Sequence, residues 1–270
     1  MLVSIFEQII QGVVEDVAYR ESLVPFKEIK AMSKAVDPPR DARGALLQQG
    51  CGVIAEIKRA TPCHGVIAQI ERPAELAMQF EAGGARMIGC QTERRRFMGS
   101  LEDLAAVRAA VSVPVMSKDF IVDPYQIHEA RYYGADMVPL IVSALDQPRL
   151  ESLLDRIESL GMTALVEVQT PDDASRAIQA GASVVGVNAR NLHSMTMNPK
   201  AFGEIAPGLP RETIRVALSG VRTPKDLRWY SSAGADAVVI GESLVTAPEP
   251  LRLVRTMVAV GQHPATPTTR

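Results

Sequence analysis

From residue 52 to residue 243 the chain alternates short apolar runs with longer stretches in which apolar positions recur every three or four residues. The first pattern belongs to strands buried on both faces and the second to amphipathic helices. Strands are expected near Gly52 to Lys58, Arg86 to Thr92, Pro114 to Phe120, Met137 to Ser143, Thr163 to Val168, Val184 to Ala189, Ile214 to Gly220 and Ala237 to Ser243. Helices are expected between them, at Pro73 to Ala82, Leu101 to Ala110, Pro124 to Tyr133, Gln147 to Leu160, Pro171 to Ala180 and Pro224 to Ala233. Such alternation implies a parallel sheet. Upstream, Ser4-Ile5-Phe6-Glu7 has the form of a capping box, and Ile5, Phe6, Ile9, Ile10, Val13, Val14 and Val17 follow at helical spacing. A second helical piece from Phe26 to Ala35 runs into Asp37-Pro38-Pro39, where the prolines stop it. Residues 1–45 precede any strand and read as an extension packed on the main body.

An internal repeat settles how the strands are joined. Gly84-Ala85, Gly134-Ala135, Gly181-Ala182 and Gly234-Ala235 each link a helix end to an apolar strand, and successive glycines lie 50, 47 and 53 residues apart. The unit is therefore (βα)₂ repeated four times, and eight strands close into a (βα)₈ TIM barrel. A doubly wound open sheet predicts neither the count nor the spacing. Residues 1–262 form a single domain on this reading, extension included, and the Thr- and Pro-bearing tail 263–270 is expected to be disordered.

Composition narrows the function classes. Apolar residues at 47% and charged residues at 22% suffice for a large core, and a net charge of −2 offers no basic field for nucleic acid. Cys51, Cys63 and Cys90 are odd in number and lack metal-ligand spacing, which argues against a disulfide framework or structural zinc and for a reducing compartment. His64, His128, His193 and His263 form no metal-binding pair and are expected at surface or loop positions. The apolar pieces at the N-terminus are broken by Glu7, Glu15 and Asp16, so neither a secretory signal nor a membrane span is expected, and the location is read as cytoplasmic. Oligomeric state is left open.

Barrel enzymes take their reactive groups from the C-terminal ends of the strands. In Pro114-Val115-Met116-Ser117-Lys118-Asp119-Phe120, strand alternation puts Met116, Lys118 and Phe120 on one face. A lysine held among apolar walls is expected to have its pKa lowered by desolvation, which suits it to proton transfer; the plainer alternative is a strand-end lysine reaching solvent. Strand one adds Glu56 and Lys58, strand five adds Glu167, and strand six adds Asn188 and Arg190. Two acids and two lysines converging in one mouth allow general acid and base work. Ser219-Gly220 and Gly241-Glu242-Ser243 end strands seven and eight, where glycines expose backbone N–H groups to an anion, so a phosphorylated small molecule is the expected substrate.

Several motifs in one order carry a resemblance. Glu56-Ile57-Lys58-Arg59-Ala60-Thr61-Pro62 with Gly65, Phe97-Met98-Gly99-Ser100-Leu101-Glu102-Asp103-Leu104, Lys118-Asp119-Phe120, Asp123-Pro124-Tyr125-Gln126-Ile127, Leu165-Val166-Glu167-Val168 and Asn188-Ala189-Arg190-Asn191-Leu192 closely resemble the indole-3-glycerol phosphate synthases. The resemblance runs from the N-terminal helices to strand eight. It implies a (βα)₈ barrel with an N-terminal helical extension and a carboxy-lyase of tryptophan biosynthesis. Such an enzyme converts 1-(2-carboxyphenylamino)-1-deoxyribulose 5-phosphate to indole-3-glycerol phosphate with loss of CO₂ and water, and uses no metal or organic cofactor. By resemblance Lys118 is the general acid at the substrate carbonyl and Glu167 serves the later proton transfers. Glu56 and Lys58 orient the reacting groups, and Asn188 and Arg190 position substrate. Phe97 and Phe120 flank its ring, and Ser219, Gly220, Gly241 and Ser243 hold its phosphate.

The family's strand seven ends Glu-Ser-Gly, whereas here it ends Leu218-Ser219-Gly220. Leu218 is expected to point into the mouth where the family has an acid, which weakens the activity or redirects it. Smaller departures are Cys63 for serine, Gln91 in an apolar strand two, Ser117 where arginine often precedes the lysine, and Pro139 inside strand four. Two other readings stay open: a barrel enzyme on another sugar phosphate, with Lys118 as a Schiff-base nucleophile, and a silent barrel that only binds.

Overall fold

The four Gly-Ala turns are built alike. Gly84, Gly134, Gly181 and Gly234 take φ values of 94°, 95°, 86° and 99°, a left-handed conformation open to glycine. The alanine after each donates its N–H back into the preceding helix, as in Ala85 to the Phe80 carbonyl at 3.1 Å and Ala135 to that of Ala130 at 2.8 Å. These are helix C-terminal Schellman turns, and each feeds the chain straight into a strand.

The computed structural model of the protein describes residues 4–264 and residue 266. Its barrel strands are β1 (Gly52–Ile57), β2 (Met87–Gln91), β3 (Val115–Lys118), β4 (Met137–Ile141), β5 (Thr163–Val168), β6 (Val184–Asn188), β7 (Ile214–Leu218) and β8 (Ala237–Ile240). All pair in parallel, and β1 pairs with β8, Gly52 opposite Ala237, to close the barrel. Strand alternation sends Ile54, Met87, Met116, Met137, Leu165 and Val184 into the barrel interior, each with 0% exposure. Val53, Val115, Val138 and Val166 point the other way, into the larger core beneath the helices. A five-residue helix, Ala42–Leu46, plugs the N-terminal end with Ala42 and Leu46.

The predicted strands are all present, but most end one to three residues earlier than the apolar runs suggest, because the chain turns into the functional loops there. A 3₁₀ turn at Val142–Ala144 and a short helix at Glu242–Val245 replace the expected ends of strands four and eight. A closing helix not expected from the pattern, Pro250–Gln262, buries Val254 and Met257 and packs on β1. Pro139 has no N–H for either neighbour. β4 keeps a ladder from Met137 to Ile141 with β5, whereas its pairing with β3 is Met116 opposite Met137 alone. The expectation of a disordered tail falls mostly on residues outside those described, though Thr266 donates its hydroxyl to the Val260 carbonyl at 2.6 Å.

The extension consists of α1 (Ile5–Leu23), which opens with the capping box read from the sequence, and α2 (Phe26–Ala35). Phe6, Ile9, Val13 and Val17 of α1 share an apolar cluster with Phe120, Tyr125 and Ile141 of the barrel. Arg20 clamps Glu129 with paired bonds of 2.7 and 2.8 Å, and the Tyr125 hydroxyl donates to the Val24 carbonyl at 2.9 Å. The bidentate fork fixes both angle and distance of the helix on the barrel. Among the described residues no helix is long and apolar enough to cross a membrane.

His128 overturns its expected surface position. It lies fully buried in the helix Pro124–Tyr132, with Nδ1 2.7 Å from Ser33 Oγ and Phe26 edge-on at 5.4 Å. A single histidine on a helix carries no signal of what will cover it, and here α2 does. Burial, followed by the cations Arg156, Lys30 and Lys34, pushes its pKa down to about 4 from 6.5. Below pH 6.5 the unfolded chain takes up a proton that the folded chain refuses, so stability falls as pH drops from 6.5 toward 4. Urea titrations across that window should show this slope in the wild type and a flatter one in His128→Gln. Equal slopes would remove His128 as its source.

Candidate active site

The last inward position of each strand meets at the C-terminal mouth. Glu56, Gln91, Lys118, Ile141, Glu167, Asn188, Leu218 and Gly241 line one cavity there, with Lys58 just beyond the end of β1. Lys118 and Glu167 form an ion pair whose side chains are 13% and 2% exposed. Lys58 Nζ donates to Glu56 Oε2 at 2.7 Å, and Gln91 Nε2 donates to Glu56 Oε1 at 2.9 Å. Asn188 Nδ2 reaches Glu167 Oε2 at 3.4 Å, while its Oδ1 accepts from the Arg190 N–H at 3.0 Å and the Ser219 hydroxyl at 2.9 Å. The two carboxylates and two ammonium groups read at strand ends one, three and five are thus two ion pairs in one mouth.

The charges decide what each group can donate. Burial pushes the Lys118 pKa down, as expected, but Glu167 and Glu56 outweigh it and hold the pKa above the ordinary 10.5. The expectation of a lowered pKa is overturned: Lys118 rests as an ammonium, suited to give a proton rather than to take one. Burial would likewise raise Glu56, yet Lys58 and Lys118, with hydrogen bonds from Lys58 and Gln91, hold it below 4.5 and ionised.

The loops after β7 and β8 are shaped by backbone. Ser219 adopts φ 65°, uncommon for a residue other than glycine. Its hydroxyl bond to Asn188 and its carbonyl's acceptance of the Tyr230 hydroxyl at 3.2 Å hold it there. Gly220 follows with φ 83°. At Gly241 a Cβ would lie 2.2 Å from Glu56 Oε2 and 3.0 Å from Lys58 Nζ, so any larger residue would displace that ion pair. Ser243 Oγ donates to the Val221 carbonyl at 3.3 Å and ties the two loops together.

The rim is aromatic and cationic. Phe97 and Phe120 lie 5.8 Å apart at 41°, and Phe6 from α1 stands 6.1 Å from Phe120. Arg190 turns its guanidinium to the Met195 carbonyl at 3.0 Å and Cys63 Sγ at 3.6 Å, so it lies across the lip instead of beside Asn188. Phe6 and Ile9 line the cavity although the sequence marked them only as one face of a helix. Gln91 stood out only as a polar break in a strand. Leu218 faces inward, but it is 3% exposed and joins the barrel-core cluster with Leu165 and Val239, its Cδ1 2.4 Å from where a Cβ on Gly186 would sit. Ser117 points outward, its hydroxyl 3.2 Å from that of Thr92. Among the described residues no cluster of three or more His, Cys, Asp and Glu side chains could hold a metal ion.

A barrel whose C-terminal mouth holds paired lysines and carboxylates beside two glycine-bearing loops has the form of a candidate (βα)₈ enzyme site, able to carry acid–base chemistry. Residues 6–257 match the family described as indole-3-glycerol phosphate synthase. A protein of that name from Saccharopolyspora erythraea is 59% identical over 98% of this chain and 98% of its own. Those from Rhodococcus opacus and Mycolicibacterium smegmatis are 58% identical over 98% of this chain, covering 98% and 97% of their own lengths. A solved thiamine phosphate pyrophosphorylase from Pyrococcus furiosus superposes with a TM-score of 0.60 over 77% of this chain and 94% of its own at 14% identity, a likeness of fold alone. The chain belongs to the indole-3-glycerol phosphate synthase family.

The charge pattern makes a direct prediction. The Lys118 ammonium, followed by NMR, should titrate above pH 10.5 in the wild type and at lower pH in Glu167→Gln, where its largest opposing charge is gone. A wild-type midpoint below 10.5 would contradict the pairing described.

Proposed function

We propose that the chain catalyses closure of the indole ring of 1-(2-carboxyphenylamino)-1-deoxyribulose 5-phosphate, giving indole-3-glycerol phosphate, CO₂ and water, a step of tryptophan biosynthesis. The observation that carries the reading is the Lys118–Glu167 pair beside Glu56–Lys58 in a family member's barrel mouth. Lys118, charged at rest, protonates the carbonyl oxygen as the ring carbon bearing the carboxylate attacks, and the resulting intermediate sheds CO₂. Glu167, relieved of part of its partner's charge, takes and returns protons while the new hydroxyl leaves as water. Lys58 and Glu56 hold the reacting groups in line. Asn188 and Arg190 position the substrate, Phe97 and Phe120 flank its aromatic ring, and Ser219, Gly220, Gly241 and Ser243 receive the phosphate. Free thiols at Cys51, Cys63 and Cys90 support a cytoplasmic setting.

The Schiff-base alternative requires a neutral amine, and the raised pKa of Lys118 opposes it. A silent barrel is disfavoured for a different reason: two ion pairs in a cavity cost desolvation that apolar residues would not. Leu218 removes an acid from the mouth, and we take turnover to be reduced by it.

Purified protein supplied with the substrate should generate indole fluorescence, and its absence at high enzyme concentration would overturn the proposal. Lys118→Met should lower kcat by about 10² to 10⁴. Leu218→Glu should raise kcat, by as much as the roughly 10² to 10⁴ that a positioned acid or base contributes. Unchanged turnover in a folded Leu218→Glu variant would show that position 218 does not limit the rate.

A further inference from the structure

Gln91 is the polar side chain on the inward face of β2, in line with Met87 and Gly89. It is 6% exposed and lines the catalytic cavity. Its Nε2 donates to Glu56 Oε1 at 2.9 Å, and its Oε1 is buried with no hydrogen-bond partner. The amide orientation is forced. Glu56 is an ionised carboxylate and can only accept, so the nitrogen must face it and the oxygen must face away. Leucine or methionine would fill the same space without stranding a buried acceptor, which is costly.

The neighbouring inward-facing acceptors already hold donors of their own. Glu56 accepts from Lys58 and Gln91, and Glu167 from Lys118 and Asn188. Asn188 Oδ1 accepts from Arg190 and Ser219, and position 218 is a leucine. The substrate of the proposed reaction needs acceptors: its carboxylate and phosphate go to cations and N–H groups, but its two chain hydroxyls and its anilino N–H are donors.

We propose that Gln91 is a substrate-binding residue whose amide oxygen accepts a hydrogen bond from a hydroxyl or the amine N–H of the bound substrate, while its amide nitrogen fixes Glu56. The role rests on the proposed function and returns to the mouth one acceptor of the kind that Leu218 lacks. It assigns a purpose to a polar residue that otherwise breaks an apolar strand.

The test pairs Gln91→Met with substrate analogues lacking one donor each: 3-deoxy, 4-deoxy and N-methyl. On the full substrate the variant should lose about tenfold in kcat/KM, the worth of one such bond, with the thermal midpoint unchanged or raised. On one of the three analogues the variant and the wild type should then perform alike, since the donor that Gln91 serves is already gone. A purely structural role would cut kcat/KM by the same factor on every analogue, and that result overturns the proposal. So does an unchanged kcat/KM on the full substrate. A basic limb of the pH profile displaced in the variant would mean that Gln91 acts through Lys118, its register neighbour, and would overturn it too. Gln91→Leu repeats the comparison should Gln91→Met fold poorly. A wild type without turnover sinks the proposed function and this role together, whereas an active wild type with additive losses sinks this role alone.

Discussion

A charge inside a closed barrel has nowhere to go but to another charge. Burying Lys118 without Glu167, or Glu56 without Lys58, would leave an ion against the apolar layer of Met116, Leu165 and Val239, and breaking a buried pair costs about 3–5 kcal/mol. Much of the mouth follows from that constraint. Asn188 and Gln91 take up the carboxylate lone pairs that the lysines leave, Gly241 makes room for the Glu56–Lys58 pair, and the Ser219 backbone is bent so that its hydroxyl can hold Asn188. The pairing also keeps Lys118 protonated against the pull of its own burial.

Much of this was legible in the residues. The glycine turns are local, since the left-handed backbone is a property of one residue and its neighbours, and they declared the barrel through their spacing. The convergence of Glu56, Lys58, Lys118, Glu167 and Asn188 was legible because strand period and barrel closure together fix where a strand's last inward residue must stand. What stayed hidden depends on partners far along the chain. His128 looks like any helix-surface histidine until α2 covers it. Phe6 and Ile9 fit a core-facing stripe equally well whether the stripe meets barrel or substrate. The direction of the Lys118 pKa is hidden for a related reason: burial is readable from one strand, whereas the opposing carboxylates come from two others.

Position 218 shows how an inward-facing residue can serve the core. An acid here would have to be satisfied by the lysines of the mouth. Leucine instead packs over Gly186 and against Leu165, closing the top of the apolar layer. The polar groups of the mouth come instead from β1, β2, β3, β5 and β6, with Gln91 beside Glu56 and Lys118 beside Glu167.

The docking of α1 has a consequence for how the molecule is made. This helix is made before the surfaces that cover Phe6 and Ile9, since Phe120 and Ile141 follow more than a hundred residues later. Until then its apolar stripe is uncovered, and the cavity at the barrel mouth lacks a wall. Docking of α1 therefore waits until the barrel segments it packs on have been made, and only then is the cavity wall formed by Phe6 and Ile9 in place.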